Sequence, residues 1–161
     1  QGDERIAPSG SPERNLTHLV LTLPLICQAA IRPMPVGADD LETAMNEYEY
    51  SLPERFDLIH LGLGPDGHTA SLVPDDPVLE VEDRLVAVTA GEYQGTRRMT
   101  LTYPAINRSR RVLFLVTGEE KRDALERLLV SDRTIPAGRI ENDATIIVTD
   151  VDLSRPVTAA Q

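Results

Sequence analysis

Hydrophobic and polar positions follow two rhythms along this chain, and each predicts its own kind of element. Between 39 and 52, Leu41, Ala44, Met45 and Tyr48 recur at helical spacing, and the face they share reads as a core stripe. Further helices are expected from about 12 to 22 and from 119 to 130, where Leu125 and Leu128 mark the inner face of the latter. Elsewhere the apolar residues gather in short runs. Phe56-Asp-Leu-Ile-His-Leu61 follows a proline and precedes glycines, the pattern of a strand buried on both faces of a parallel sheet. Other strands are expected near 84–90, 98–103, 111–117 and 144–149. In the second of these, Met99 and Leu101 alternate with Thr100 and Thr102, so one face should be wetter and Arg98 should share it. Helices alternating with strands predict an α/β domain over residues 1–150, Rossmann-like and layered, with a largely parallel sheet flanked by helices. Residues 74–82 read as a loop, and 151–161, which show no periodic pattern, as a frayed or disordered tail.

Chemistry is concentrated just beyond the run that ends at Leu61, in Leu61-Gly-Leu-Gly-Pro-Asp-Gly-His-Thr-Ala-Ser-Leu-Val-Pro74. Glycine admits positive φ and lets backbone approach a ligand closely, and the loop after a buried strand is where open α/β sheets bind ligands. His68 therefore arrives where an imidazole can take a proton from water or return one to a leaving group, a role worth ~10²–10⁴ in rate. A plainer reading stands beside it. Asp66 can be the N-cap of a short helix, worth ~1 kcal/mol, with His68 a solvated neighbour.

Composition narrows the function classes. A formal charge of −10 argues against nucleic acid, whose binding needs a basic face. No apolar run approaches the roughly 18 residues of a membrane span, and no charged-then-apolar start suggests a signal peptide. The single Cys27 excludes an internal disulfide and lacks the companions of a structural zinc site. The expected compartment is the cytoplasm. His18 and His60 have no neighbour at metal-ligand spacing and read as structural.

Among the sixteen basic residues only Lys121 is a lysine. It lies in the first turn of the helix expected from 119, where a cation opposes the helix dipole, and positions three and four away hold no carboxylate. It shares the stripe of Leu125 and Leu128, so its stem should lie over apolar surface with its ammonium near the strand ends. Joined by backbone N–H groups, that ammonium makes a phosphate site. The alternative is a snorkelling surface lysine. Arg98 offers the same choice, between a two-pronged anion ligand and an ordinary surface arginine like Arg97, and Arg5 by itself reads as a salt-bridge residue.

The fourteen-residue run closely resembles the signature of the 6-phosphogluconolactonases, in the superfamily that also holds the glucosamine-6-phosphate isomerases/deaminases. Gly2-Asp-Glu-Arg5 with Pro8, Pro12 and Asn15 resembles an early acidic-arginine loop of that family. Arg98-Met-Thr-Leu-Thr-Tyr-Pro104 with Asn107, and Arg111 through Lys121, resemble later blocks in the same order. The resemblance implies hydrolysis of 6-phospho-D-glucono-1,5-lactone in the pentose phosphate pathway without metal or organic cofactor. It implies His68 as the catalytic base oriented by Asp66, Arg5 facing the lactone ring, Gly64 and Gly67 at the substrate, and Arg98 and Lys121 on its phosphate. Deaminases of the superfamily carry a glutamate five residues after the histidine, where this chain has Val73, so the sister activity is the weaker expectation. Family members also carry an earlier strand and a glycine-rich phosphate loop ahead of the acidic-arginine loop. The chain is therefore expected to be a fragment, the alternative being a reduced domain that binds sugar phosphates without turning them over, and the isolated 161 residues are expected to be poorly active.

Overall fold

A computed structural model of the chain describes residues 1–24 and 30–153. Cys27 and residues 154–161 of the expected tail lie outside the described residues. Within them the helices are α1 (Asn15–Thr22), α2 (Leu41–Ser51), α3 (Tyr103–Asn107) and α4 (Arg122–Leu129), and the strands are β1 (Asp3–Arg5), β2 (Ile59–Leu61), β3 (Val86–Val88), β4 (Arg98–Leu101), β5 (Val112–Val116) and β6 (Thr145–Thr149). No described helix is long and apolar enough to cross a membrane.

The strands form two sheets. One is parallel, in the order β2-β5-β6, and gives the expected α/β layering; the other is antiparallel, in the order β1-β4-β3. A single core joins them: Ile59, Leu61, Val112, Phe114 and Val116 from the parallel sheet meet Val86, Met99 and Leu101 from the antiparallel one, with Met45 and Tyr48 of α2 and Ala124, Leu125 and Leu128 of α4. Apolar burial of this kind is worth roughly 25 cal/mol per Å². Helix α2 begins where Asp40 accepts hydrogen bonds from the N–H groups of Glu42 and Thr43, both 3.1 Å, a side-chain cap for donors that the helix cannot pair itself.

Three expectations change. First, strand β2 buries one face, through Ile59 and Leu61, while His60 is exposed and Leu58 is 49% exposed. The register aligns His60 with Leu113 and Ile146, and Leu115 with Val148, on one sheet face, where Leu115, Ile146 and Val148 are also exposed. An unbroken apolar run does not distinguish two buried faces from one. Second, β4 has no wet face, because Thr100, and Thr102 just beyond the strand, are as buried as Met99 and Leu101. Their hydroxyls are satisfied internally, Thr100 Oγ1 accepting from the N–H of Ser71 at 3.1 Å. Third, the loop expected over 74–82 contains a short 3-10 turn at Pro77–Glu80, capped by Asp76, and Val151 packs into the core instead of fraying.

Strand β1 is the element that hydrophobic pattern does not announce, since it consists of Asp3, Glu4 and Arg5. Glu4 is completely buried because it does a helix cap's work from another element. Its carboxylate accepts from the backbone N–H groups of Asn15 (2.7 Å) and Leu16 (2.9 Å) at the start of α1 and from that of Arg5 (2.8 Å), and it faces Arg14 at 3.4 Å. Burial works against the charge, but the backbone hydrogen bonds outweigh it and hold the carboxyl below its usual pKa. A carboxyl so depressed adds stability above its unfolded pKa, and that stability is lost as pH falls through the folded pKa. Glu4→Gln should therefore lower the unfolding free energy by ~2–3 kcal/mol near neutral pH, with the gap to wild type closing on acidification; a gap constant from about pH 7 to about pH 3 in urea titrations would contradict this role for Glu4.

Candidate active site

The turn after β2 folds back on itself before it releases the chain. Gly64 N–H donates to the His68 carbonyl at 2.9 Å, and Gly67 N–H donates to the Gly64 carbonyl at 3.0 Å. Gly67 has φ +82°, a left-handed value that suits glycine, and it is pressed against Ile135. Gly64 needs glycine for a different reason. A Cβ placed there would lie 2.0 Å from His68 Nδ1, so the imidazole occupies the space that a side chain would fill. Asp66 then turns back on the same ring: Oδ1 accepts from His68 Nδ1 at 2.6 Å and from the His68 backbone N–H at 3.2 Å. No helix starts here among the described residues, so Asp66 closes a turn on His68 instead of capping a helix.

Burial opposes ionisation of Asp66, but its hydrogen bonds from His68 and Tyr93 prevail and keep its pKa below the ordinary carboxylate value. An ionised carboxylate only accepts, so it fixes the Nδ1–H tautomer of His68 and leaves Nε2 as the basic nitrogen. Tyr93, which carries no signal in the sequence, completes this group. Its hydroxyl donates to Asp66 Oδ2 at 2.8 Å and lies 3.2 Å from His68 Nδ1. Burial and the Asp66 carboxylate push its pKa up to about 12, so it remains a donor.

The register of β1 against β4 sets the cationic side. Asp3 faces Thr100 and Arg5 faces Arg98 directly across the pair, which puts two guanidinium groups on one sheet face. Like charges opposite each other are destabilising unless something anionic lies between them. Neither arginine forms an ion pair among the described residues. Arg5 instead donates through Nη1 to the Glu13 carbonyl at 2.7 Å and to Asn15 Oδ1 at 3.3 Å. Arg98 is 4% exposed, donates through Nη2 to the Tyr93 carbonyl at 3.0 Å, and has a buried Nε without a partner among the described residues. Burial and the nearby Arg5 lower the pKa of Arg98. Asp3 accepts from the Ser71 hydroxyl at 2.8 Å, and burial raises its pKa.

These groups border a single hollow of about 310 Å³, lined by Arg5, His68, Arg98 and Lys121 with Asp3, Asn15 and His60. Lys121 ends a 3-10 turn, Glu119–Lys121, just before α4 rather than occupying an α-helical first turn. Its ammonium has no ion-pair partner among the described residues, while Arg122 engages Glu119 at 2.9 Å. His60, expected to be structural, lines the hollow from β2. Gly64 and Gly67 do not line it; both are buried beneath the turn and shape it. Two larger hollows, of about 690 and 600 Å³, hold no histidine; the first has Arg110 and Arg133 neutralised by Asp57 and Glu141, and the second is lined largely by apolar residues.

The model of a family described as glucosamine-6-phosphate isomerases/6-phosphogluconolactonase matches residues 1–148. The chain belongs to that family. It is similar to the 6-phosphogluconolactonase of Synechocystis, 44% identical over 137 residues, which covers 77% of this chain and 56% of that protein. It is also similar to the 6-phosphogluconolactonase of Bos taurus, 34% identical over 157 residues, covering 88% of this chain and 60% of that protein. Among solved structures, 6-phosphogluconolactonase from Thermotoga maritima superposes with a TM-score of 0.77 at 32% identity, over 92% of this chain and 69% of that one. The chain thus spans somewhat over half the length of these curated relatives. Membership of the glucosamine-6-phosphate isomerase/6-phosphogluconolactonase family accords with the motif order read from the sequence. Pattern alone does not show Tyr93, Asp3 or His60, which reach the site through sheet register and a hairpin turn.

The contact between Gly64 and the imidazole has a direct test. Gly64→Ala should displace the His68 ring, visible as a large change in its NMR shifts, whereas Gly62→Ala, where a Cβ meets nothing within 4 Å, should leave the ring in place. Equal spectra for the two variants would show that Gly64 does not seat His68.

Proposed function

We propose that the protein hydrolyses 6-phospho-D-glucono-1,5-lactone to 6-phosphogluconate, a step of the pentose phosphate pathway, in the cytoplasm. The observation that carries this reading is one hollow bordered by an oriented imidazole, two guanidinium groups without carboxylate partners and an ammonium unpaired among the described residues. Its volume of about 310 Å³ is at the lower end of small-molecule sites. The local positive charge suits an anionic sugar, while the overall charge of −10 disfavours nucleic acid.

In the reaction, Nε2 of His68 removes a proton from water as the water oxygen bonds to the lactone carbonyl carbon. The carbonyl oxygen takes up negative charge, which Arg5 stabilises. When the tetrahedral intermediate collapses, the bond to the ring oxygen breaks and the imidazolium returns its proton to that oxygen, giving the open-chain acid and restoring His68. Asp66 holds the ring throughout, and Arg98 and Lys121 hold the phosphate at the far end, fixing the ester against the histidine. The buried, unpartnered Nε of Arg98 gains an acceptor when that phosphate binds. Every proton in the cycle is carried by water, substrate or His68.

Glucosamine-6-phosphate deamination fits less well. Val73, at the position where that chemistry uses a glutamate, is buried at 3% exposure and can supply no charge.

Lactone hydrolysis should fall by ~10²–10⁴ in His68→Ala and persist in His18→Ala, since His18 is exposed on α1 and bonded to the Pro12 carbonyl. Lys121→Met should act mainly through KM, because phosphate binding is shared by ground and transition states. Equal rates in the two histidine variants, or ammonia release from glucosamine 6-phosphate, would overturn the assignment.

A further inference from the structure

We infer that Tyr93 is a positioning residue that couples the Asp66–His68 pair to the anion-holding Arg98, through two different parts of one side chain and its backbone. The inference deepens the lactone-hydrolysing reading above and rests on it for the roles of His68 and Arg98.

Tyr93 opens a tight hairpin turn whose two central residues, Gln94 and Gly95, have φ of +53° and +83°. Its N–H donates to the Thr96 carbonyl at 2.9 Å, so its backbone is fixed by turn geometry that demands positive φ at both central positions. From that anchor the side chain makes two sets of contacts. The hydroxyl reaches Asp66 Oδ2 at 2.8 Å and His68 Nδ1 at 3.2 Å, and the ring meets the imidazole edge-on, with centroids 5.1 Å apart and planes at 61°. The same ring lies under the Arg98 guanidinium, 5.0 Å from its central carbon. The Tyr93 carbonyl and Gln94 Oε1 accept from Arg98 Nη2 at 3.0 and 3.4 Å.

The two parts have separable consequences. Without the hydroxyl, Asp66 keeps only His68 as its side-chain donor among the described residues and can rotate about its Cα–Cβ bond, which loosens its hold on Nδ1–H. His68 then samples the tautomer with the proton on Nε2, where the nitrogen that should accept from water is already protonated. Without the ring, the arginine loses its cation–π support and the face against which it is stacked. The hydroxyl therefore governs proton transfer, and the ring governs anion binding. Asp66 and Tyr93 touch the imidazole, while Asp3, Arg5, Arg98 and Lys121 border the same hollow.

The experiment compares Tyr93→Phe and Tyr93→Leu with wild type, by steady-state lactone hydrolysis and by the ¹⁵N shifts of the His68 ring. In Tyr93→Phe, kcat should fall roughly tenfold with KM little changed, and the ring ¹⁵N shifts should move from those of the Nδ1–H tautomer toward a mixture. Tyr93→Leu should add a several-fold rise in KM. Wild-type kcat together with wild-type ring shifts in Tyr93→Phe would overturn the inference, as would a loss confined to thermal stability, which marks a merely structural tyrosine. If His68→Ala retains full hydrolysis, the functional reading fails instead. The ¹⁵N spectra then decide by themselves whether Tyr93 fixes the His68 ring.

Discussion

The imidazole of His68 stands where a side chain on Gly64 would be, and the site depends on that close approach. A turn able to bring residue 68 back over residue 64 needs a glycine beneath the ring and a left-handed glycine at 67 to reverse the chain. Once the ring is seated, Asp66 is near enough to accept from both its Nδ1 and its backbone N–H. The place and orientation of the histidine therefore follow from the backbone geometry of Gly64 to His68, its tautomer follows from the Asp66 carboxylate that Tyr93 holds, and the rest of the fold has to bring cations to meet it.

The cations arrive through buried acids rather than through surface pairing. Glu4 ties β1 to the start of α1, and Asp3 ties it to Ser71 in the segment that follows His68. Between these two anchors the register leaves Arg5 opposite Arg98, and among the described residues neither forms an ion pair, although the Asp3 carboxylate acts on Arg98 from nearby. Burying a guanidinium in this way costs several kcal/mol unless an anion offsets it. On the proposed reading, a phosphate or a developing oxyanion would supply that anion. On the same reading, these groups are what would favour a substrate with a doubly anionic phosphate on a neutral ring.

How much of this is legible in the sequence differs residue by residue. The glycine-histidine turn is readable because glycine spacing reports backbone geometry directly, and Lys121 stands out because no local electrostatic reason places it there. Strand β1 is not readable, since Asp-Glu-Arg has no apolar period and its burial depends on partners as far along the chain as Leu16 and Met99. Thr100 in β4 and Thr102 just after it suggest water because alternation reports polarity, whereas both are buried with hydrogen bonds to Ser71 and Arg84. Likewise, the run at 56–61 does not show that His60 borders the hollow, because apolar content does not say how many faces of a strand are covered. Tyr93 emerges only from the structure: it meets His68 across 25 residues through a hairpin whose sequence has no catalytic pattern.

The most direct test of the central claim, that one hollow holds a sugar phosphate between an oriented imidazole and three cations, is a crystal structure of the protein with 6-phosphogluconate. The phosphate should lie within hydrogen-bond distance of Arg98 and Lys121, with the carboxylate end beside Arg5 and Nε2 of His68. A ligand bound instead in the hollow near Arg110 and Arg133, or a His68 ring turned away from an occupied site, would contradict it.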